Sequence, residues 1–127
     1  SIDCQALGKP QDPAQAAEML FLLSGREHVV YTGITVSRGD RMITEHEATP
    51  VWFRPLTTTE VAHYIATGEP MDKAGAYGIQ GYGSVLVEGI SGDYYNVMGL
   101  PVCRLGRMLL RFGVDPLALA AEKEQAK

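Results

Sequence analysis

The chain has 127 residues, 46% of them hydrophobic and 20% charged, proportions that suit a folded globular protein and exclude a fibrous or wholly disordered one. Eleven Lys and Arg against fifteen Asp and Glu leave a net charge of -4, so there is no long-range positive field to attract duplex nucleic acid, and a polyanionic ligand must be held by local cations. At about 100–200 residues per domain, the length is that of one domain or part of one.

The elements follow in order from local chemistry. Asp12-Pro13 places a capping side chain ahead of a proline at the first helical position, and the apolar spacing Ala16, Leu20, Leu23 predicts a helix from Pro13 to about Ser24, stopped by Gly25. Val29 to Arg38 and Arg41 to Phe53 are rich in β-branched residues and flank Gly39-Asp40, which predicts one long β-hairpin. That turn also explains the tripeptide Arg38-Gly39-Asp40 without any adhesive role. Thr57 and Glu60 have capping-box spacing ahead of the stripe Val61, Tyr64, Ile65, a second helix that ends before Gly68 and Pro70. Between Gly75 and Gly83 stand Gly75, Gly78, Gly81 and Gly83, well above the glycine background of about 7%, and no regular element is expected there. Ser84 to Ile90 reads as a strand. Pro101 to Phe112 reads as a helix with Val102, Leu105, Met108, Leu109 and Phe112 on one face, and a surface helix follows Asp115-Pro116. The order excludes a doubly wound parallel fold, because regular strand-helix alternation is missing. The expected class is therefore α/β, a mixed sheet with a long β-hairpin and flanking helices.

The apolar run Met19 to Leu23 falls far short of the about 20 residues that cross a bilayer, and no basic-then-apolar leader is visible; the expectation is a cytoplasmic protein without a membrane partner. Cys4 and Cys103 show no metal or redox spacing and are expected to be free thiols. His28, His46 and His63 have no metal-ligand spacing and read as strand or helix surface. There is neither a GxSxG elbow nor a GxxxxGK[ST] loop, which excludes the common serine-hydrolase and P-loop readings. Tyr94, Tyr95 and Asn96, with Leu100-Pro101, suit either closure over a ligand or a place in the core.

Chemistry concentrates in residues 71–81. Small residues let a ligand approach the backbone, Asp72 and Lys73 supply opposite charges, and Gln80 supplies an amide that both donates and accepts. This suits a ligand carrying phosphate and base. The same glycines also suit a plain tight corner with Asp72, Lys73 and Gln80 on solvated surface, and composition leaves both readings open. Lys9, between Gly8 and Pro10 just ahead of the first helix, is either a phosphate-facing ammonium or an exposed loop lysine.

Taken together, Gly8-Lys9-Pro10, Leu23-Ser24-Gly25 with His28, Thr32-Gly33, Gly68-Glu69-Pro70, the stretch Asp72 to Gly81, and Tyr95-Asn96-Val97 with Gly99-Leu100-Pro101 resemble the Maf family of nucleotide pyrophosphatases, in order from Leu7 to about Phe112. The resemblance implies a fold akin to the inosine triphosphate pyrophosphatases, with substrate in a cleft between lobes. It also implies hydrolysis of a nucleoside triphosphate between its α and β phosphates, with a divalent cation, Mg or Mn, as cofactor and a homodimer as the assembly. The form of residues 73–81 is similar to the branch acting on dTTP and UTP. By that match Lys9, Lys73, Gln80 and Gly81 bind substrate and Gln80 sets base specificity, while the metal ligands are not identified.

The family's opening Ser-x-Ser-Pro-Arg-Arg motif and its catalytic aspartate in Asp-Thr-Val-Val are absent from this sequence; family spacing puts that aspartate just before Ser1, and Asp3 falls several residues too late. The expectation is that residues 1–113 are the carboxyl-side part of one Maf-like domain, with 114–127 a tail, and that these residues alone are inactive. The rival reading is a non-catalytic nucleotide- or partner-binding regulatory module. Within the enzyme class, the rival preferences are CTP, modified nucleotides and 7-methyl-GTP.

Overall fold

The computed structural model describes residues 7–126; Asp3 and Cys4, and any reading placed on them, lie outside the described residues. Helix α1, Pro13–Leu23, opens on Asp12, whose carboxylate accepts from the Gln15 amide at 2.8 Å. Strands β1, Glu27–Arg38, and β2, Arg41–Phe53, form an antiparallel hairpin in register from Glu27↔Trp52 to Arg38↔Arg41. Gly39 has φ +62°, the left-handed conformation that a two-residue hairpin turn demands. Strand β3, Val87–Ile90, pairs with β2 and completes a three-stranded antiparallel sheet of order β1-β2-β3.

Side chains alternate across this sheet as the pleat requires. His28, Val30 and Ile34 of β1 share a face with their β2 partners Val51, Thr49 and Glu45, whereas Tyr31, Met42 and Trp52 stand on the other and are exposed. Helix α2, Thr58–Ala66, carries a complete capping box: Thr57 Oγ1 accepts from the Glu60 amide and Glu60 Oε1 accepts from the Thr57 amide, each at 3.1 Å. The core joins Leu20 and Leu23 of α1, Val51 and Phe53 of β2, and Val61 and Tyr64 of α2, with Tyr77 and Ile79 inserted from the glycine-rich segment.

Three expectations need correction. The segment 84–90 is a strand only over Val87–Ile90; Tyr82–Leu86 curls into a 3-10 turn, closed by the Ser84 amide on the Gly81 carbonyl at 3.1 Å. Within that turn Gly83 packs closely against Gly78, where a Cβ would stand 2.5 Å from the Gly78 carbonyl oxygen. The glycine-rich stretch is more ordered than its composition suggests, with short 3-10 turns at Glu69–Asp72 and Ala74–Ala76 and with Gly75, Ala76 and Tyr77 buried. A short helix α3, Tyr94–Met98, was not foreseen; Asp93 caps it by accepting from the Asn96 amide at 3.1 Å. Tyr94 and Tyr95 on it are exposed and sit edge to face with each other.

Helix α4, Val102–Arg111, lies against the hairpin. Of its expected apolar face, Met108 and the following Phe112 are buried while Val102 is exposed, and polar contacts supply much of the attachment. Arg104 spans Glu45 and Glu47 at 2.7 and 2.5 Å, Arg111 also pairs with Glu45, and Arg38 and Arg41 donate to the carbonyls of Phe112 and Arg111. Helix α5, Pro116–Gln125, is capped by Asp115 and exposes Leu117 and Leu119. Cys103 is a free, exposed thiol.

Candidate functional site

A cleft of about 720 Å³ opens between residues 28–32 of β1, the loop running from Glu69 to Gly81, and the segment Asn96 to Gly99 at the end of α3. Each wall has a local cause. The β1 wall is the consecutive stretch His28 to Thr32 at the start of the hairpin. The α3 wall is pinned by Asn96, fully buried, whose Nδ2 donates to the Val30 carbonyl at 3.0 Å and to Thr49 Oγ1 at 2.9 Å. The loop wall is built by backbone conformations that few residues adopt. Gly75 has φ +77° and the next residue, Ala76, has φ +67°. A left-handed non-glycine residue costs on the order of 1 kcal/mol and persists where its surroundings hold it. Here the Gly75 amide bonds the Gly8 carbonyl at 3.0 Å, Ala76 is fully buried, and the two residues together turn Tyr77 inward.

Tyr77 is one corner of a buried aromatic trio. Its ring meets Phe53 edge to face at 4.7 Å and His28 at 5.3 Å, and its hydroxyl stands 2.7 Å from His28 Nε2. Burial pushes His28 down to about 4 and pushes Tyr77 up, so both are neutral at pH 7 and the pair is a neutral hydrogen bond, not an ion pair. His28 Nδ1 is buried with no partner among the described residues. The expectation that His28 lies on strand surface is therefore wrong: position 28 is on the inward row of β1, and Tyr77 arrives opposite it from 49 residues away.

Of the four substrate-binding residues expected from the sequence, Lys73, Gln80 and Gly81 line this cleft together. Gln80 and Lys73 are exposed at its edge, and the Lys73 ammonium sits 3.8 Å from Asp72. Lys9 is exposed and does not line the cleft, although its neighbour Gly8 is tied to the loop through Gly75. Asp72, a charge of the loop that the sequence singles out, also lines the cleft, together with Glu69 and Tyr77, to which the sequence reading gives no separate role. The repeated Gly-x-x-Gly spacing around Gln80 was the available signal, since a loop that spares side chains at Gly78 and Gly81 must be packed against something. That something is the Glu69 carboxylate: a Cβ on Gly78 would stand 2.7 Å from Glu69 Oε1, and one on Gly81 would stand 2.9 Å from Glu69 Cδ.

Among the described residues, no three His, Cys, Asp or Glu side chains gather as a metal site. Glu69 and Asp72 are the carboxylates on the cleft wall. Hard divalent cations take about six oxygens, so these residues do not by themselves hold one. What the arrangement does offer is a recess with an ammonium and an amide at the lip and close-approach backbone beneath.

The sequence itself has relatives. The Maf-like protein family matches residues 1–112. A dTTP/UTP pyrophosphatase of Moorella thermoacetica is 56% identical over 114 residues, covering 87% of this chain and 58% of that protein. Proteins of the same name from Symbiobacterium thermophilum and Bacillus cereus are 54% and 52% identical, covering 88% and 89% of this chain and 58% and 59% of their own lengths. The chain thus spans a little under three-fifths of the curated relatives it matches. With a family match over the hairpin, the loop and the cleft alike, the chain belongs to the Maf family.

Proposed function

We propose that the protein containing this chain is a nucleoside triphosphate pyrophosphatase of the dTTP/UTP type, and that residues 28–32, 69–81 and 96–99 form its base and phosphate recess. The observation that carries this reading is the placement of Lys73, Gln80 and Gly81 on one cleft wall, in a family whose relatives bear that name. The reaction joins a water oxygen to the α-phosphorus and breaks its bond to the bridging oxygen, releasing pyrophosphate. Lys73 offsets charge on the phosphates, and Lys9 joins it if the segment ahead of α1 swings toward the ligand. Gln80 presents an N–H and a carbonyl to the edge of a pyrimidine, and a base with the wrong pattern leaves one of them unpaired, which is an effective source of discrimination.

A divalent cation, Mg or Mn, would neutralise the triphosphate, with Glu69, Asp72 and the phosphates able to supply only part of its shell. A homodimer acting in the cytoplasm completes the proposal; no helix of the described residues is long and apolar enough to cross a membrane. The test is to incubate the full-length protein with dTTP, UTP, CTP, GTP and ATP, with Mg or Mn, and quantify pyrophosphate. Pyrophosphate release greatest with dTTP and UTP is expected. Nucleotide binding without release would replace the enzyme by a regulatory module.

A further inference from the structure

Glu69 is a half-buried residue inside the cleft wall, and the positions of its two carboxylate oxygens are unusual. Gly68 precedes it with φ +81°, a left-handed turn that starts the 3-10 segment Glu69–Asp72 and directs the side chain beneath the 78–81 bend. Gly78 and Gly81 are the two positions at which any side chain would collide with that carboxylate. Tyr64 of α2 closes the arrangement from the core side: the Gly78 amide donates to Tyr64 Oη at 3.1 Å. The Tyr64 hydroxyl is pushed up to about 12, by burial first and also by the charge of Glu69 and a hydrogen bond to it. Tyr64 is therefore neutral at pH 7, and its oxygen accepts from the Gly78 amide. Glu69 Oε2 is buried and has no partner among the described residues, and Lys73 turns its ammonium to Asp72.

An unpartnered buried carboxylate oxygen costs a folded protein stability. The carboxylate lies directly against the bend that carries Gln80, where a Cβ on Gly78 or Gly81 would meet it. We propose that Glu69 is a positioning residue for Gln80: through Tyr64 and the Gly78–Gly81 bend, it sets the height and angle at which the Gln80 amide meets the nucleobase. This rests on the reading above that Gln80 contacts the base. Glycine at 78 and 81 follows from the same requirement, since the bend must lie directly on the carboxylate.

The test uses the full-length protein and four variants, Glu69→Ala, Glu69→Gln, Tyr64→Phe and the double variant Glu69→Ala with Tyr64→Phe. Steady-state hydrolysis of dUTP and dCTP is measured, together with equilibrium binding of a non-hydrolysable dUTP analogue and the melting temperature. Misplacing a contact group by about 1 Å can cost up to about a hundredfold. Glu69→Ala is expected to raise KM for dUTP by about ten- to a hundredfold, to weaken the analogue to match, and to narrow the preference for dUTP over dCTP. Glu69→Gln recovers part of each effect. Tyr64→Phe shifts all three in the same direction, and the double variant is no worse than Glu69→Ala alone, because both act through one bend. If Glu69→Ala does not fold, Glu69→Gln and Tyr64→Phe decide. A lowered melting temperature with the dUTP to dCTP preference unchanged would show a merely structural role and overturn the inference, leaving the pyrophosphatase reading intact. A wild-type protein that neither binds the analogue nor hydrolyses dUTP would overturn both.

Discussion

His28 Nε2 and the Tyr77 hydroxyl stand 2.7 Å apart in a pocket where both side chains are at least nine-tenths buried, and with the Phe53–Tyr77 ring contact this bond fastens the hairpin to the glycine-rich loop. Because burial lowers His28 from 6.5 to about 4, the fold binds the neutral imidazole and the unfolded chain binds the proton more readily. The contribution is fully present above pH 6.5 and is lost as pH falls toward 4. At about 1.4 kcal/mol per pH unit, the loss reaches about 3 kcal/mol. Urea denaturation midpoints between pH 7.5 and 4 should decline accordingly, and His28→Gln, which keeps a hydrogen-bonding group but does not titrate there, should flatten that decline. An equally steep decline in the variant would show that another group is responsible.

Gly81 and Gly83 should respond differently to the same methyl group. At Gly81 the nearest atoms to the added carbon are those of the Glu69 carboxyl, the far end of a flexible side chain. Gly81→Ala should fold with little loss of stability and lose nucleotide affinity instead. At Gly83 the carbon would stand 2.5 Å from the Gly78 carbonyl oxygen and 2.7 Å from Tyr64 Oη. Backbone cannot step aside there, so Gly83→Ala should cost about 1–3 kcal/mol or more. Melting curves with and without a dUTP analogue separate the two.

Asn96 ties α3 to both hairpin strands from a fully buried position. Asn96→Ala strands the Val30 carbonyl and Thr49 hydroxyl without that donor, and a loss of about 1–3 kcal/mol is expected. Asn96→Asp should be worse at neutral pH, because the same site would have to accept a charge facing the Val30 carbonyl and would regain stability on acidification. Chemical denaturation at pH 7.5 and pH 5 measures both.

Arg104 is clamped between Glu45 and Glu47 on the hairpin, partly exposed to solvent. Arg104→Ala should loosen α4 only slightly, as expected for a solvent-screened pair. Since the screening length falls from about 10 Å at 0.1 M salt to about 3 Å at 1 M, the difference from wild type should shrink in 1 M NaCl. Hydrogen exchange of the α4 amides, with and without salt, reads this directly. No change in exchange at low salt would mean that Met108, Phe112 and the Arg38, Arg41 and Arg111 contacts hold the helix without Arg104.

What the sequence determines by itself is what neighbours along the chain decide. Asp12-Pro13, the Thr57–Glu60 capping box and Gly39-Asp40 act within four residues, so the first helix, the second helix and the hairpin turn can be read from composition and spacing. The resemblance of residues 72–81 to a family motif is likewise local and identifies the loop. The tertiary structure decides what that loop rests on. His28 finds Tyr77 49 positions away, Asn96 finds Val30 66 positions away, and Glu69 slides beneath glycines that no spacing rule connects to it. Lys9 carried the family motif yet stands outside the cleft lining, because where a side chain points depends on packing around its segment. Such contacts join elements that approach only when apolar faces are buried together, and periodicity reports which face is buried, not what it meets.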